Sequence, residues 1–428
     1  MLKLTLTPGA NLDKVLELAS KSLYSTLEAA GKEGILRVYA YPNLDSLTAA
    51  TIVFMKATSM GVNTVLSVSL DPPQTVGEPT VIIGFNNLNY KSGDVKSRLV
   101  AFYSGELKSI PVHGVTYIDG PGSHSSIAYL TATGGKDYDL SYVVATLTGS
   151  YASGFVDRIG RFQGLDRIVL DKLRLATRLS LEMITTIRSY KPTVNDVCSS
   201  LSVTLDPYYP GFTGDHENCV RVLQSRNLAS ILGVKLSSLD QKSLESLVTI
   251  IVDTVKRSYN VDLEASELVG GVLVSTSTTS PVLDFKEASD SLVYIAEALG
   301  DPGRVVVSIL DVDNEYPMVE SRFEGYSVRL RELVSQVKPV KLKVSLRTQF
   351  YQVQVDRGDS PTMLWRALRT LRMVERDSVL VFELGGELRI SPFQVEEAIG
   401  LGGCRRLRDL GIVRFEDGYL WVERKALA

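Results

Sequence analysis

The sequence predicts an α/β protein. A mostly parallel sheet with helices on both faces is expected over residues 1–195, and a helical connector over 196–262. A second, smaller α/β domain follows over 263–376, then a winged-helix-like unit over 377–428. Three observations carry this reading. Ile35 to Phe54, ILRVYAYPNLDSLTAATIVF, joins a β-rich run, a Pro/Asn/Asp turn and an Ala/Ile/Val helix, the opening unit of a parallel sheet. Runs such as TVIIGF are apolar throughout, as strands covered on both faces are. After Glu267 the alternation of strand and helix begins again.

The elements follow in order. Asn11 precedes a helix in which Leu12, Val15, Leu16, Ala19, Leu23 and Leu27 keep helical spacing, with Gly31 at its end. In the organising unit, Ser46 or Asp45 is placed to cap the helix. Short β-rich runs at Asn63–Ser69, Thr80–Phe85 and Arg98–Tyr103 are separated by Pro/Gly/Asn-rich turns. YIDGPGSHSSIAYL reads as strand end, Gly-rich loop and helix start, and helices near Leu140–Ser150 and Arg167–Tyr190 close the domain. In the second α/β stretch, GGVLVSTS, RVVVSIL and KLKVSLRTQFYQVQV read as strands. DFKEASDSLVYIAEALG, Ser327–Val337 and TMLWRALRTLRMVER read as helices. At the end come FQVEEAIG, a turn, CRRLRDLG and a hairpin tipped by Asp417-Gly418.

Composition bounds the function. The chain has 428 residues, enough for about two or three domains. A net charge of −3 gives no global basic field for nucleic acid, so any such surface must be local. No apolar run reaches the roughly 18 residues of a membrane span, and no signal peptide opens the chain. Cys198, Cys219 and Cys404 are widely spaced, as expected of reduced thiols in a cytoplasmic protein.

Candidate chemistry is sparse. Metal-dependent hydrolysis needs several Asp and His at strand ends. The turn after the organising strand offers only Asp45, and the histidines are His113, His124 and His216. His113 and His124 read as surface or capping residues. Asp311, Asp313 and Glu315 read as a solvated loop after a strand, with a weak cation site as the alternative. GPGSHSS has the glycines and hydroxyls of a phosphate cradle but no Lys or Arg. Arg366, Arg369 and Arg372 are spaced to share one helix side beside Trp365. Arg405 and Arg408 share a face of CRRLRDLG, while Arg406 points away. These five arginines are the candidate nucleic-acid contacts. Protein docking or intramolecular packing is the favoured role of the terminal unit, with Leu407 and Leu410 buried against Trp421. Tyr208, Tyr209 and Phe212 read as turn packing, with base stacking as the alternative.

Four stretches together resemble the DHH phosphoesterase superfamily in its RecJ-like branch: YPNLDSLTAA, YIDGPGSHSSIAYL, LDPYYPGFTGDHENC and SPVLDFKEASDSL. The likeness is greatest to archaeal RecJ-like and Cdc45-like replication factors. It implies a DHH-like first domain and a DHH-associated-like second one. The family's first-motif His, Asp and Asp fall on Tyr41, Asn43 and Asp45. The second-motif Asp falls near Gly84. The Asp-His-His signature falls at about Tyr103, Ser104 and Gly105, and a later Asp falls near Ala152. The Gly-Gly-Gly-His loop has no counterpart.

The resemblance therefore implies a retained fold, a lost metal centre and no cofactor. The favoured reading is a catalytically inactive scaffold of the replicative helicase complex. Its implied partners are the GINS complex and MCM, with single-stranded DNA as a further candidate. The alternatives are a metal-dependent single-strand exonuclease and a nucleic-acid-binding module without replisome partners.

Overall fold

The computed structural model describes residues 2–7, 11–86, 88, 90–91, 93–103, 115–175, 179–277, 280–342, 348–384, 386–416 and 418–423. Six parallel strands form the first sheet: β1 (Leu2–Thr5), β2 (Leu36–Ala40), β3 (Thr64–Val68), β4 (Thr80–Ile83), β5 (Leu99–Tyr103) and β6 (Val115–Asp119). Their order is β1-β6-β5-β4-β2-β3. The helices of this half are α1 (Leu12–Glu33), α2 (Leu44–Ser59), α3 (His124–Thr133), α4 (Leu140–Ala152) and α5 (Gly164–Leu175). Helix α1 runs through Gly31 and ends at Gly34, where φ is 91°.

Strand side chains alternate between two cores. Val38, Ile83, Val100, Phe102 and Ile118 pack with these helices. Ile82, Leu99, Ala101 and Tyr117 share a second apolar cluster with Phe350, Val381, Val395 and Leu407 from the far end of the chain. The sheet is thus held between its own helices and the C-terminal part of the protein.

The long helix expected over Arg167–Tyr190 is interrupted. Helix α5 ends at Leu175, and Leu181–Ile187 forms β7, antiparallel to β8 (Val269–Ser275). Ile184, Thr185, Thr186 and Ile187 are β-branched and favour extended backbone. The connector carries α6 (Val197–Val203), α7 (His216–Ser225), α8 (Gln241–Tyr259) and α9 (Ala265–Leu268) around its own apolar cluster. There Cys198 and Cys219 form a disulfide, contrary to the expected reduced thiols. A separation of 21 residues hides the cause: α6 and α7 pack together and bring the two Cα atoms to 5.6 Å, in a fully buried setting. Cys404 is free and buried.

The second half contains α10 (Phe285–Leu299), α11 (Gly303–Leu310), α12 (Val312–Gln336), β9 (Val340–Leu342), β10 (Phe350–Gln354) and α13 (Pro361–Thr370). Then come β11 (Val379–Leu384), β12 (Glu387–Ile390), α14 (Pro392–Ile399), α15 (Gly403–Asp409), β13 (Val413–Glu416) and β14 (Tyr419–Val422). RVVVSIL, expected as a strand, is helix α11. Gly300 ends α10 in left-handed backbone, and Val305 and Ile309 are spaced to bury one helical stripe in the core beside α2. Packing here overrides the β-preference of valine. LDVDNEYP, expected as a loop, leads into α12, with Asp313 and Glu315 in its first turn. KLKVSLRTQFYQVQV divides into β9 and β10, antiparallel; residues 343–347 lie outside the described ones.

The second sheet has the order β13-β14-β12-β11-β10-β9 and takes strands from both sides of residue 377. The terminal helix–turn–helix–hairpin is present as expected, and β14 joins it to this sheet through β12. Asp417 lies outside the described residues.

Candidate functional site: a small chamber and an adjoining cleft

Helix α2 begins where β2 ends. Its N-cap is Asn43, whose Oδ1 accepts from the Ser46 N–H at 2.8 Å. Asp45, expected to cap this helix, has a different task. Its buried carboxylate accepts from the N–H groups of His124 (2.8 Å) and Ser125 (3.0 Å), and meets His124 Nδ1 at 2.8 Å. It therefore caps α3 from across the sheet edge and satisfies donors that a helix N-terminus leaves open. A carboxylate only accepts, so the ring proton sits on Nδ1 and Nε2 is turned elsewhere. His124 is 3% exposed, not a surface residue, and its Nε2 has no hydrogen-bond partner among the described residues. His113 lies outside the described residues.

The GPGSHSS loop does not offer a free phosphate cradle. The Ser123 N–H donates to Asp166, the next two N–H groups to Asp45, and that of Ser126 to the Ser123 hydroxyl. The hydroxyls of Ser123, Ser126 and Ser150 also donate to Asp166. Burial pushes the Asp166 carboxyl up, and these donors oppose the rise.

The positions at which the resemblance would place metal ligands are occupied by packing. Tyr41 is buried at the end of β2; its hydroxyl donates to Glu396 at 2.8 Å and accepts from the Arg405 N–H at 3.3 Å. Glu396 also accepts from the N–H groups of Gly402 (2.7 Å) and Cys404 (2.8 Å), so it organises the start of α15. Gly84 has φ +81°, and a Cβ there would stand 1.9 Å from Ser46 Oγ. No aspartate can occupy that position without displacing α2. The Tyr103 hydroxyl donates to the Asn86 carbonyl at 2.9 Å; Ser104 and Gly105 lie outside the described residues.

Ala152, at the end of α4, lines a chamber of about 200 Å³ with Asn43, Asp45, His124, Ser289 and Glu396. A two-cation centre demands several charged oxygen or imidazole ligands. Asp45 is spent on α3, Tyr41 and Asn43 carry no charge, and Gly84 admits no side chain. The residues present do not fit such a centre. Among the described residues no group of three or more His, Cys, Asp or Glu is arranged to hold a metal ion.

Beside the chamber lies an open cleft of about 890 Å³ whose walls carry Arg158, Arg188, Lys286, Arg369, Arg372 and Arg376. Arg366 stands between the two, buried, with guanidinium contacts of 2.7 Å to Asp290 and 2.7 Å to Glu397. Asp206 faces it. Burial pushes the Asp206 carboxyl up, but Lys286 and Arg366 outweigh this and hold it well below the usual carboxylate range.

The three arginines expected on one helix side do not share it. Arg369 stacks on Trp365 at 4.5 Å, whereas α13 ends at Thr370 and Arg372 lies beyond it, donating to the Asp262 carbonyl. Arg405 and Arg408 do share a face, and it closes on Asp71. Leu407 is buried, but Leu410 is 60% exposed and Trp421 stacks under Arg389 at 4.0 Å, so the expected Leu407–Leu410–Trp421 contact is not formed. The α15 face that buries Leu407 meets the first sheet, which leaves Leu410 outward. Tyr208, Tyr209 and Phe212 are buried, as turn packing requires. Sequence reasoning missed Arg158, Arg188, Arg376 and the docking role of Glu396, because only the fold brings them to the site.

The comparisons agree with this architecture. The chain superposes on Cdc45 of Entamoeba histolytica with a TM-score of 0.63 at 9% identity, covering 100% of this chain and 97% of the other. RecJ of Thermus thermophilus, solved with Mn²⁺, gives a TM-score of 0.41 at 11% identity, covering 99% of this chain and 54% of that one. No curated protein matches the sequence. The family described as Archaeal Cdc45 matches residues 88–402, a span that takes in Ala152, the cleft and Glu396. The chain belongs to the archaeal Cdc45 family and shares the fold of Cdc45.

Proposed function

We propose that this protein is a catalytically inactive member of its family that serves as a scaffold of the replicative helicase complex, with GINS and MCM as partners. One observation carries the loss of catalysis: Tyr41 stands at a ligand position and spends its hydroxyl on Glu396, docking the C-terminal unit over the chamber. Gly84, closed by Ser46, supports the same reading. The partners rest on family membership.

A second activity is favoured by the cleft. Six basic side chains besides Arg366 line it together with five carboxylates, Asp206, Glu267, Asp290, Glu375 and Glu397. The basic ones not held by those carboxylates are the candidate phosphate contacts of a single strand. In this reading the strand is held and not cut. The test is hydrolysis of single-stranded DNA and RNA with Mn²⁺ or Mg²⁺. No turnover above a metal-free control is expected, and turnover abolished by Asp45→Ala would overturn the proposal.

A further inference from the structure

Lys191 follows β7 with a left-handed backbone, φ 48°, and is buried. Its ammonium meets Glu324 at 2.5 Å and Glu320 at 3.0 Å, both on α12, and Glu287 of α10 at 3.9 Å. Its backbone N–H donates to Asp284, the N-cap of α10, at 3.3 Å. Three carboxylates thus meet one ammonium, and a fourth, Asp284, takes the backbone N–H of the same residue.

Glu287 is fully buried, and neither of its oxygens has a hydrogen-bond partner among the described residues. One oxygen of Glu320, on α12, is likewise buried without one. An ionised carboxylate deprived of water and of hydrogen-bond donors is costly, and the neutral acid avoids that cost.

We propose that Glu287 is held as a neutral carboxylic acid in the folded protein, and that its proton lets the segment between β7 and α6, α10 and α12 close on Lys191 as a pH-sensitive joint. Three elements face it: the segment between β7 and α6 through Lys191, its own helix through Asp284, and α12 through Tyr316, Glu320 and Glu324. Burial pushes the Glu287 carboxyl well above its ordinary 4.5. Lys191 opposes this, and Asp284, Glu320 and Glu324 push it higher. With a raised value in the folded state, the stabilisation is complete below 4.5 and is lost as pH climbs through the raised value.

The test is thermal unfolding of the full chain, of Glu287→Gln and of Glu320→Gln, between about pH 5 and about pH 9. The parent protein is expected to lose several degrees of Tm on the alkaline side. Glu287→Gln, a neutral side chain of the same shape, should flatten that limb and exceed the parent at the highest pH. Glu320→Gln removes a like charge, so its loss should begin at lower pH. An alkaline limb in Glu287→Gln as steep as the parent's overturns the proposal, as does a Glu287→Gln chain that fails to fold. An unmoved midpoint in Glu320→Gln also overturns it, and that arm is independent of the first variant.

Discussion

Asp45 and His124 are 79 residues apart in sequence, yet one carboxylate holds both the backbone N–H and the ring Nδ1 of His124 at 2.8 Å. The Asp45 carboxylate is a strut between α2 and α3. Asp45→Ala leaves the His124 and Ser125 N–H groups buried without an acceptor. It should cost roughly 2–4 kcal/mol in urea unfolding. Asp45→Asn retains one acceptor oxygen and should lose less, though it will not be silent. Equal stability of the three proteins would show that the strut does not bear on folding.

Gly84 is a second place where packing is tight. Gly84→Asp puts a side chain into left-handed backbone and against Ser46. We expect a poorly folded protein that gains no affinity for Mn²⁺, as read by circular dichroism and calorimetry. A stable variant that binds the ion would mean that the position still admits a ligand.

Asp206 should govern acid resistance. Its carboxyl lies below the ordinary 3.8, so its stabilisation is present above that value and decays only as pH falls toward the depressed one. Asp206→Asn should lower stability at neutral pH by roughly 1–3 kcal/mol, since Lys286 and Arg366 keep other partners. The difference from the parent should shrink in strong acid. A difference that stays constant with pH would contradict the ion-pair account.

The cleft and α15 should separate cleanly in DNA titrations. Arg158→Ala/Arg188→Ala/Arg376→Ala is expected to weaken single-strand binding uniformly across sequences and to flatten its salt dependence. Arg405→Ala/Arg408→Ala removes the contacts to Asp71 and should instead expose the C-terminal unit to limited proteolysis, with DNA affinity little changed. The reverse pattern would place the strand on α15.

The Cys198–Cys219 bond closes a loop of about 20 residues, for which disulfides contribute typically 2–4 kcal/mol. Cys198→Ser/Cys219→Ser should lose about that much in unfolding under non-reducing conditions. Because both sulfurs are buried, native protein should resist dithiothreitol that reduces it readily in urea. Two freely titrating thiols in the untreated chain would show that the bond does not form.

Much of the fold was legible because it follows local rules. The Ile35–Phe54 unit, the doubly covered strands and the terminal helix–turn–helix–hairpin all formed where the pattern placed them. RVVVSIL misled because valine prefers strands while its neighbours demanded a helix. The Leu181–Ile187 strand was hidden because its partner lies some 90 residues on, in β8. The site was half legible. The uncharged residues at Tyr41, Asn43 and Gly84 could be read directly, but what fills their place could not. Tyr41 and Glu396 are 355 residues apart, and nothing local marks either as the other's partner.

The central claim is that this chain works by holding partners and not by cutting a substrate. Its most direct test is light scattering during size exclusion of the purified protein mixed with the GINS complex of its own organism. The account predicts one peak at the summed mass, retained in Asp45→Asn. Two peaks at the separate masses, over a range of protein concentrations and salt, would contradict it.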